Sequence, residues 1–317
     1  MFQCCMTDQR STGMVNPRQE EEREKNRSSH PSAMDIGGLR VTPFVSSRFR
    51  MDGGSMFGVV PRALWAGKAP PDEQNRILLN SNSLLVETSG AMVLVEPGMG
   101  SRYEPRQKEI YDLDEMDAVS GLARLGITPE RIDIVVPTHL HLDHAGGSTA
   151  AAGSKEAFPT FPNARFFIQR AEWEAAAEPH PLENGSYRSG DYLPIAQAGR
   201  LELVEGDVDV APGLRVELTG GHTRGHQVVR MISGDWEAVF LGDIVPTTAH
   251  LRLTWLMAWD LEPTVTYEAK ARLLADCARR GVLIFWAHDP KIAACRLREG
   301  KPGSYEVDEE SAIEVVL

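Results

Sequence analysis

Apolar residues fall into short periodic stretches separated by Gly, Pro, Asn and Ser, and their spacing predicts an alternating α/β chain. Residues 84–87 and 92–96 are short apolar runs on either side of Ser89-Gly90, the pattern of a strand pair joined by a turn. Ile110, Leu113, Met116, Val119, Leu122 and Leu125 recur at helical spacing, which predicts one helix over 110–125 closing at Gly126. Residues 132–136 are apolar apart from Asp133, as in a strand covered on both faces. Further strands are expected at 164–168, 201–204, 214–218, 227–232, 238–241 and 282–286. A short helix is expected at 171–177, and an amphipathic one at 265–280 stopped by Gly281.

Two segments break this rhythm. Residues 1–35 are polar, carry the mixed-charge run QEEEREKNR and lack an apolar period, so a disordered tail is expected before a single catalytic domain over 36–317. Regular structure is expected to start near Met34. Residues 179–199, rich in Pro, Gly, Asn and Ser, have no period; such a stretch is either a substrate loop or a plain surface excursion.

Composition narrows the partners. With 42% hydrophobic and 25% charged residues, the 317-residue chain has the balance of a globular protein. Its net charge of -12 disfavours nucleic acid and anionic membranes, leaving a small molecule as the expected partner, with a homo-oligomer open. Cys4, Cys5, Cys277 and Cys295 form neither a disulfide framework nor a zinc-knuckle spacing. With no apolar leader visible, a reduced cytoplasmic setting is expected.

The chemistry concentrates in histidines at predicted strand ends. THLHLDHAGG, directly after 132–136, supplies His139, His141, Asp143 and His144. In extended chain, positions i and i+2 point the same way, so His139 and His141 can share one ion, while Asp143 and His144 reach a second where the chain turns. Three histidines and an aspartate in so short a run are costly to pack unless something binds them. Later strand ends add His222 in GGHTRGHQ, Asp243 in FLGDIVP and His288 in FWAHDP. The expected partition is His139, His141 and His222 on one ion, Asp143, His144 and His288 on the other, with Asp243 bridging.

The ordered series HxHxDH, GGHTRGH, GD and a late His resembles the metallo-β-lactamase superfamily over nearly all of 36–317. That resemblance implies an αββα sandwich, two packed β-sheets flanked by helices, with the site along one edge. MDGGSMFGVVPRALW, PPDEQNR and PTTAHLRLTWLMAWD look like the branch containing the YtnP-type quorum-quenching lactonases, which open N-acyl-homoserine lactones. The chain departs from the family pattern at Glu96-Pro97-Gly98, where Asp-x-Gly is common, and at Thr248, where close relatives tend to carry His. A longer carboxylate at Glu96 would still be able to orient the first motif. His226 reads as a supporting residue and not a ligand, His250 as pocket lining, and His30 and His180 as incidental.

The resemblance implies a hydrolase in which a metal-bridging hydroxide attacks an activated carbonyl, with Asp143 orienting the nucleophile and returning a proton to the leaving group. Two divalent ions are expected; zinc suits the ligand set best, and manganese, iron and cobalt are also compatible. No G-x-S-x-G elbow or P-loop competes with this reading. The alternative is another ester, thioester or organophosphate hydrolase on the same site; a non-catalytic metal-binding module would be expected to have lost ligands. Met56, Phe57, Trp65, Trp173, Trp255, Met257 and Trp259 are candidates for an acyl-chain pocket, with Met56, Phe57 and Trp255 foremost.

Overall fold

The computed structural model describes residues 33–151 and 156–316, so all of the expected tail but its last three residues lies outside the described residues. The first sheet runs β1 (Met34–Ile36), β2 (Leu39–Asp52), β3 (Arg76–Glu87), β4 (Met92–Val95), β5 (Ile134–Val136), then β8 and β9. A separate ribbon pairs β6 (Thr149–Ala150) with β7 (Phe158–Pro159); β8 and β9 are Arg165–Gln169 and Leu201–Val204. The second sheet holds β10 (Val208–Ala211), β11 (Leu214–Leu218), β12 (Gln227–Ser233), β13 (Trp236–Phe240), β14 (Leu283–Phe285), β15 (Ile292–Glu299) and β16 (Tyr305–Glu314), in that order. The helices among the described residues are α1 (Gly53–Phe57), α2 (Arg62–Trp65), α3 (Pro105–Tyr111), α4 (Ala118–Arg124), α5 (Leu142–Ala145), α6 (Arg170–Ala177), α7 (Leu193–Gln197) and α8 (Pro263–Arg280).

The alternation of side chains explains the layers. Leu84, Val86, Val93, Val95, Ile134 and Val136 of the first sheet meet Val216, Val229, Met231, Ala238 and Phe240 of the second in one buried core. The intervening residues Leu85, Leu94 and Val135 face outward beneath α4, against Ala118 and Leu122. On the other side Val228, Val239 and Ile284 pack under Leu273, Leu274 and Cys277 of α8. Central strands are thus covered twice, which is why their sequences read as unbroken apolar runs; each buried Val, Leu or Phe contributes about 1.5–3 kcal/mol. The expected αββα sandwich is the observed fold, and among the described residues no helix is long and apolar enough to cross a membrane.

Three features depart from the sequence pattern. The helix expected over 110–125 is two, α3 and α4. Asp112 adopts a left-handed conformation (φ 45°) that ends α3, and Asp117 restarts the chain as the N-cap of α4 by accepting from the Ser120 amide at 2.8 Å. Residues 179–199 are not structureless: they contain a 3₁₀ turn (Ser189–Asp191) and α7, with Tyr192 and Ile195 buried. Strands β15, β16 and most of β2 carry weak periods and were not expected.

Strand β3 positions the site. Its polar run Asn80-Ser81-Asn82-Ser83 is buried, where the strand meets the segment that follows β14 of the second sheet. The Asn82 amide donates to Ala287 O (2.8 Å), and its side-chain Nδ2 donates to Trp286 O (3.0 Å) and Asp289 O (2.9 Å). The long β2–β3 arm then extends past the sandwich and, with α1 and α2, buries Phe49, Phe57, Trp65, Ile77 and Leu79 in a satellite core.

Candidate metal centre

The chain leaves β5 with His139 and His141, turns through α5 with Asp143 and His144, and meets the loops after β11, β13 and β14 that carry His222, Asp243 and His288. All seven side chains are buried and converge. The ligand atoms of His139, His141 and His222 lie within 4.8 Å of one another, as do those of Asp143, His144 and His288 and those of His139, His144 and Asp243. Asp243 stands between the groups: its Oδ2 is 3.4 Å from His222 Nε2, and its Oδ1 is 3.1 Å from His288 Nε2 and 3.4 Å from His144 Nε2. Asp143 Oδ2 lies 3.5 Å from His288 Nε2 and 3.8 Å from His144 Nε2.

The residues fit a pair of metal ions. Among the described residues, His139 Nε2 and His141 Nε2 are buried without a hydrogen-bond partner, a costly arrangement unless a cation completes it. His141 Nδ1 faces His222 Nε2 at 3.2 Å; for the other four histidines the opposite ring nitrogen is occupied. His139 Nδ1 bonds Thr138 Oγ1 (3.0 Å), His144 Nδ1 bonds Glu96 Oε2 (3.0 Å), His222 Nδ1 bonds Asp260 Oδ1 (2.9 Å) and His288 Nδ1 bonds Asn80 O (2.7 Å). Such partners set the ring orientation and leave Nε2 as the donor atom.

The electrostatics are those of a cage awaiting cations. Burial, reinforced by His144, His141 and His222, holds His139 well below the usual histidine range. Burial also opposes charge on His144, but Asp243, Glu96 and Asp143 raise it well above that range. Burial likewise works against the Asp243 carboxylate, which His144 and His288 nevertheless hold well below the carboxylate range. Cations must displace these protons to bind.

Glu96 performs the orienting role: one carboxylate oxygen receives His144, the other accepts from the Thr138 amide at 2.8 Å. It does so from a left-handed backbone (φ 62°), a conformation uncommon for a side-chain-bearing residue. His226 supports the site as expected, its Nε2 accepting from the Asp243 amide (3.1 Å) and its Nδ1 bonded to Thr219 Oγ1 (2.7 Å). Thr248 holds Asp289 through its amide and hydroxyl.

Two supporting acids escaped the sequence reading. Asp260, which orients His222, is the last residue of LTWLMAWD; Glu172, on α6, accepts from the Leu140 amide at 2.8 Å. Neither stands near a ligand in sequence; Asp260 closes the PTTAHLRLTWLMAWD stretch, but nothing in that stretch marks its carboxylate as a support for His222.

The cage opens into a cavity of about 390 Å³ whose wall includes Met51, Met56, Ile110, Leu142, Met257 and Trp259. Of the three foremost pocket candidates, Met56 lines the cavity, and Phe57 and Trp255 need correction. Phe57 is fully buried between Trp65 (ring centroids 5.0 Å) and His250 (4.5 Å), with Trp255 edge-on at 5.7 Å, and these rings form the core behind the wall. His250 is not lining: it bonds Met56 O (2.8 Å) and Thr247 Oγ1 (2.8 Å), and burial, aided by the Lys270 charge, pushes it down to about 3. Trp173 packs on Tyr192 in the outer core of the first sheet. Hydrophobicity alone does not separate a core from a pocket. His180 lies in the loop after α6, and His30 is outside the described residues.

Comparison with known proteins agrees with this architecture. An N-acyl homoserine lactonase of Bacillus cereus is 34% identical over 156 residues, 45% of this chain and 54% of that protein, so the match spans about half of the relative. A solved probable metal-dependent hydrolase from Staphylococcus aureus superposes with a TM-score of 0.80 at 30% identity, covering 87% of this chain and 99% of that one. The dizinc quorum-quenching lactonase AidC, solved with a product, shares the fold at 20% identity and a TM-score of 0.72, over 88% and 97% of the two chains. The model of the metallo-β-lactamase superfamily matches residues 76–288, a span that includes every one of the seven converging side chains, and the chain belongs to that superfamily.

Proposed function

We propose that this protein is a two-metal hydrolase that opens the lactone ring of N-acyl-homoserine lactones. The observation that carries the reading is the Asp243 carboxylate with one oxygen toward each histidine group, beside a cavity with an apolar wall. His139, His141 and His222 would hold one ion, Asp143, His144 and His288 the other, with Asp243 shared. A pair of ions bound there supplies Lewis-acid polarisation of a carbonyl and activates water near neutral pH. Zinc suits these ligands best.

The chain's own residues supply the rest. Asp143 borders the cavity and would orient water and return a proton to the leaving alkoxide. Met56, Met257 and Trp259 offer apolar surface for an acyl chain, each buried methylene contributing about 0.8 kcal/mol. Leu142 and Leu182 line the same cavity, limiting water around the reacting ester. The relatives named as lactonases support the substrate class. In pH-stat titration across a lactone series, beside a thioester and a phosphotriester, acid release from the lactones is expected. Turnover of either competitor with every lactone left intact would sink this assignment.

A further inference from the structure

Glu172 is buried at the first turn of α6 and accepts four hydrogen bonds from three different segments. Its Oε1 accepts from the Leu140 amide (2.8 Å), between His139 and His141, and from the Tyr187 hydroxyl (3.0 Å). Its Oε2 accepts from the Thr223 hydroxyl (2.5 Å) and the Gly225 amide (3.3 Å), both in the loop that carries His222. The helix approaches so closely that a Cβ on Gly225 would stand 2.1 Å from the Glu172 amide nitrogen, so this contact has no room for a side chain.

The third segment is part of the cavity wall. Leu182, Gly185 and Ser186 line the cavity, and Tyr187 follows them. Tyr187 forms an isolated antiparallel bridge with His141, its ring 4.9 Å from the imidazole, while the Leu142 amide donates to Ser186 O at 2.9 Å. One carboxylate therefore ties both arms of the three-histidine group to the wall. Each oxygen receives two donors, so neither can become an NH₂ group without facing two hydrogens.

We infer that Glu172 is a positioning residue that locks His139, His141, His222 and the 182–187 wall into one unit, so that filling the three-histidine group with metal orders the wall. The inference rests on the two-metal reading above and adds a coupling to it: a substrate would meet a finished wall only on metal-loaded protein. Glu96, which orients His144, also accepts from the Thr138 amide beside His139, but neither it nor Asn80 is bonded to Glu172 or to the 182–187 wall. The Asp143–His144–His288 group meets that wall through the backbone bond from Leu142 to Ser186 and through no bond of Glu172.

The test uses full-length protein, zinc alone as the probe, metal analysis and amide hydrogen exchange. In the unaltered chain, about two zinc ions should bind, and loading should slow exchange in 182–187 by about tenfold or more, a stabilisation of about 1.4 kcal/mol. Glu172→Gln should weaken zinc at the three-histidine group by about 10–100-fold, retain the other ion and abolish zinc-dependent protection of the wall, with β13 and β14 unaffected. Tyr187→Phe cuts only the tie to the wall; it should keep both ions and lose the protection. Retention of both ions and full wall protection in Glu172→Gln overturns the inference, as does full protection in Tyr187→Phe, which keeps the test decisive if Glu172→Gln does not fold. Unaltered protein that takes up no zinc overturns the two-metal reading and this inference together, whereas two ions bound without wall protection overturn the coupling alone.

Discussion

The two halves of the candidate metal centre are built by different means. His144 and His288 are oriented from within the sheets, by Glu96 at the end of β4 and by the backbone carbonyl of Asn80 in β3. His222 is oriented by Asp260 in the loop before α8, and the backbone around His139, His141 and His222 is held by Glu172 from α6. One half leans on strands that the core already fixes; the other leans on side chains reaching in from peripheral elements. Strand support comes with the fold, whereas peripheral support depends on single residues and is more exposed to substitution.

The largest effect is expected where the halves meet. Asp243→Ala should leave the fold intact but lower kcat/KM by more than the roughly 100-fold that losing a supporting residue costs. Metal analysis alongside the assay checks this, and a fully active protein carrying one ion would break the two-part description. Next come the supports themselves. Asp260→Ala and Glu96→Gln should each cost about 10–100-fold in metal affinity, the first at the His222 group and the second at the His144 group, which titration of zinc-free protein with cobalt would separate spectroscopically. If both variants weaken the same ion, the halves are not independent.

Core and pocket divide the aromatic wall in the same way. Phe57→Ala should destabilise the protein by about 3–5 kcal/mol, read in denaturant unfolding, while leaving chain-length preference intact in the protein that remains folded. Met257→Ala, at the cavity, should instead flatten that preference, by at most about fourfold in KM for each methylene no longer covered. The opposite pattern would return Phe57 to the pocket.

The last effect concerns Lys270, buried in α8 behind the Asp260 side of the centre, with Nζ donating to Trp255 O at 2.7 Å. Burial, only partly offset by Asp260, pushes its ammonium down to about 7, from an ordinary value of 10.5. Between those values the unfolded chain holds the proton more tightly than the folded one, so stability should rise with pH across that window; below it the cost of burying the charge is felt in full. Lys270→Met should flatten the rise and raise the unfolding midpoint at pH 6 relative to the parent. An unchanged pH profile would mean the amine is protonated in the fold throughout.

Legibility in the sequence followed how local each signal is. The seven converging side chains were readable because each sits at the end of a buried strand, and His139, His141, Asp143 and His144 fall within six positions. Glu96 was readable as a departure at a strand end. Asp260 and Glu172 were not, since their roles exist only once distant segments pack. The strands under both helical layers were clear because double burial removes polar interruptions, whereas β2 and β3 were obscured by the buried polar residues Ser46, Ser47 and Asn80–Ser83, of which Ser46, Ser81, Asn82 and Ser83 donate side-chain hydrogen bonds to backbone carbonyls. A continuous helical period across 110–125 concealed a break that Asp112 and Asp117 impose through backbone conformation and capping.

The acidity of the chain also has a location. Strand β16, the outermost of the second sheet, is YEVDEESAIE, five carboxylates in ten residues. An edge strand offers unpaired amides and carbonyls to any extended segment that meets it, including the same strand of another molecule. Two such edges brought together would set rows of like charge about 5 Å apart, a repulsion that only concentrated salt would screen at that range. The net negative charge of the chain, gathered on this edge, thus works against growth of the sheet by self-addition.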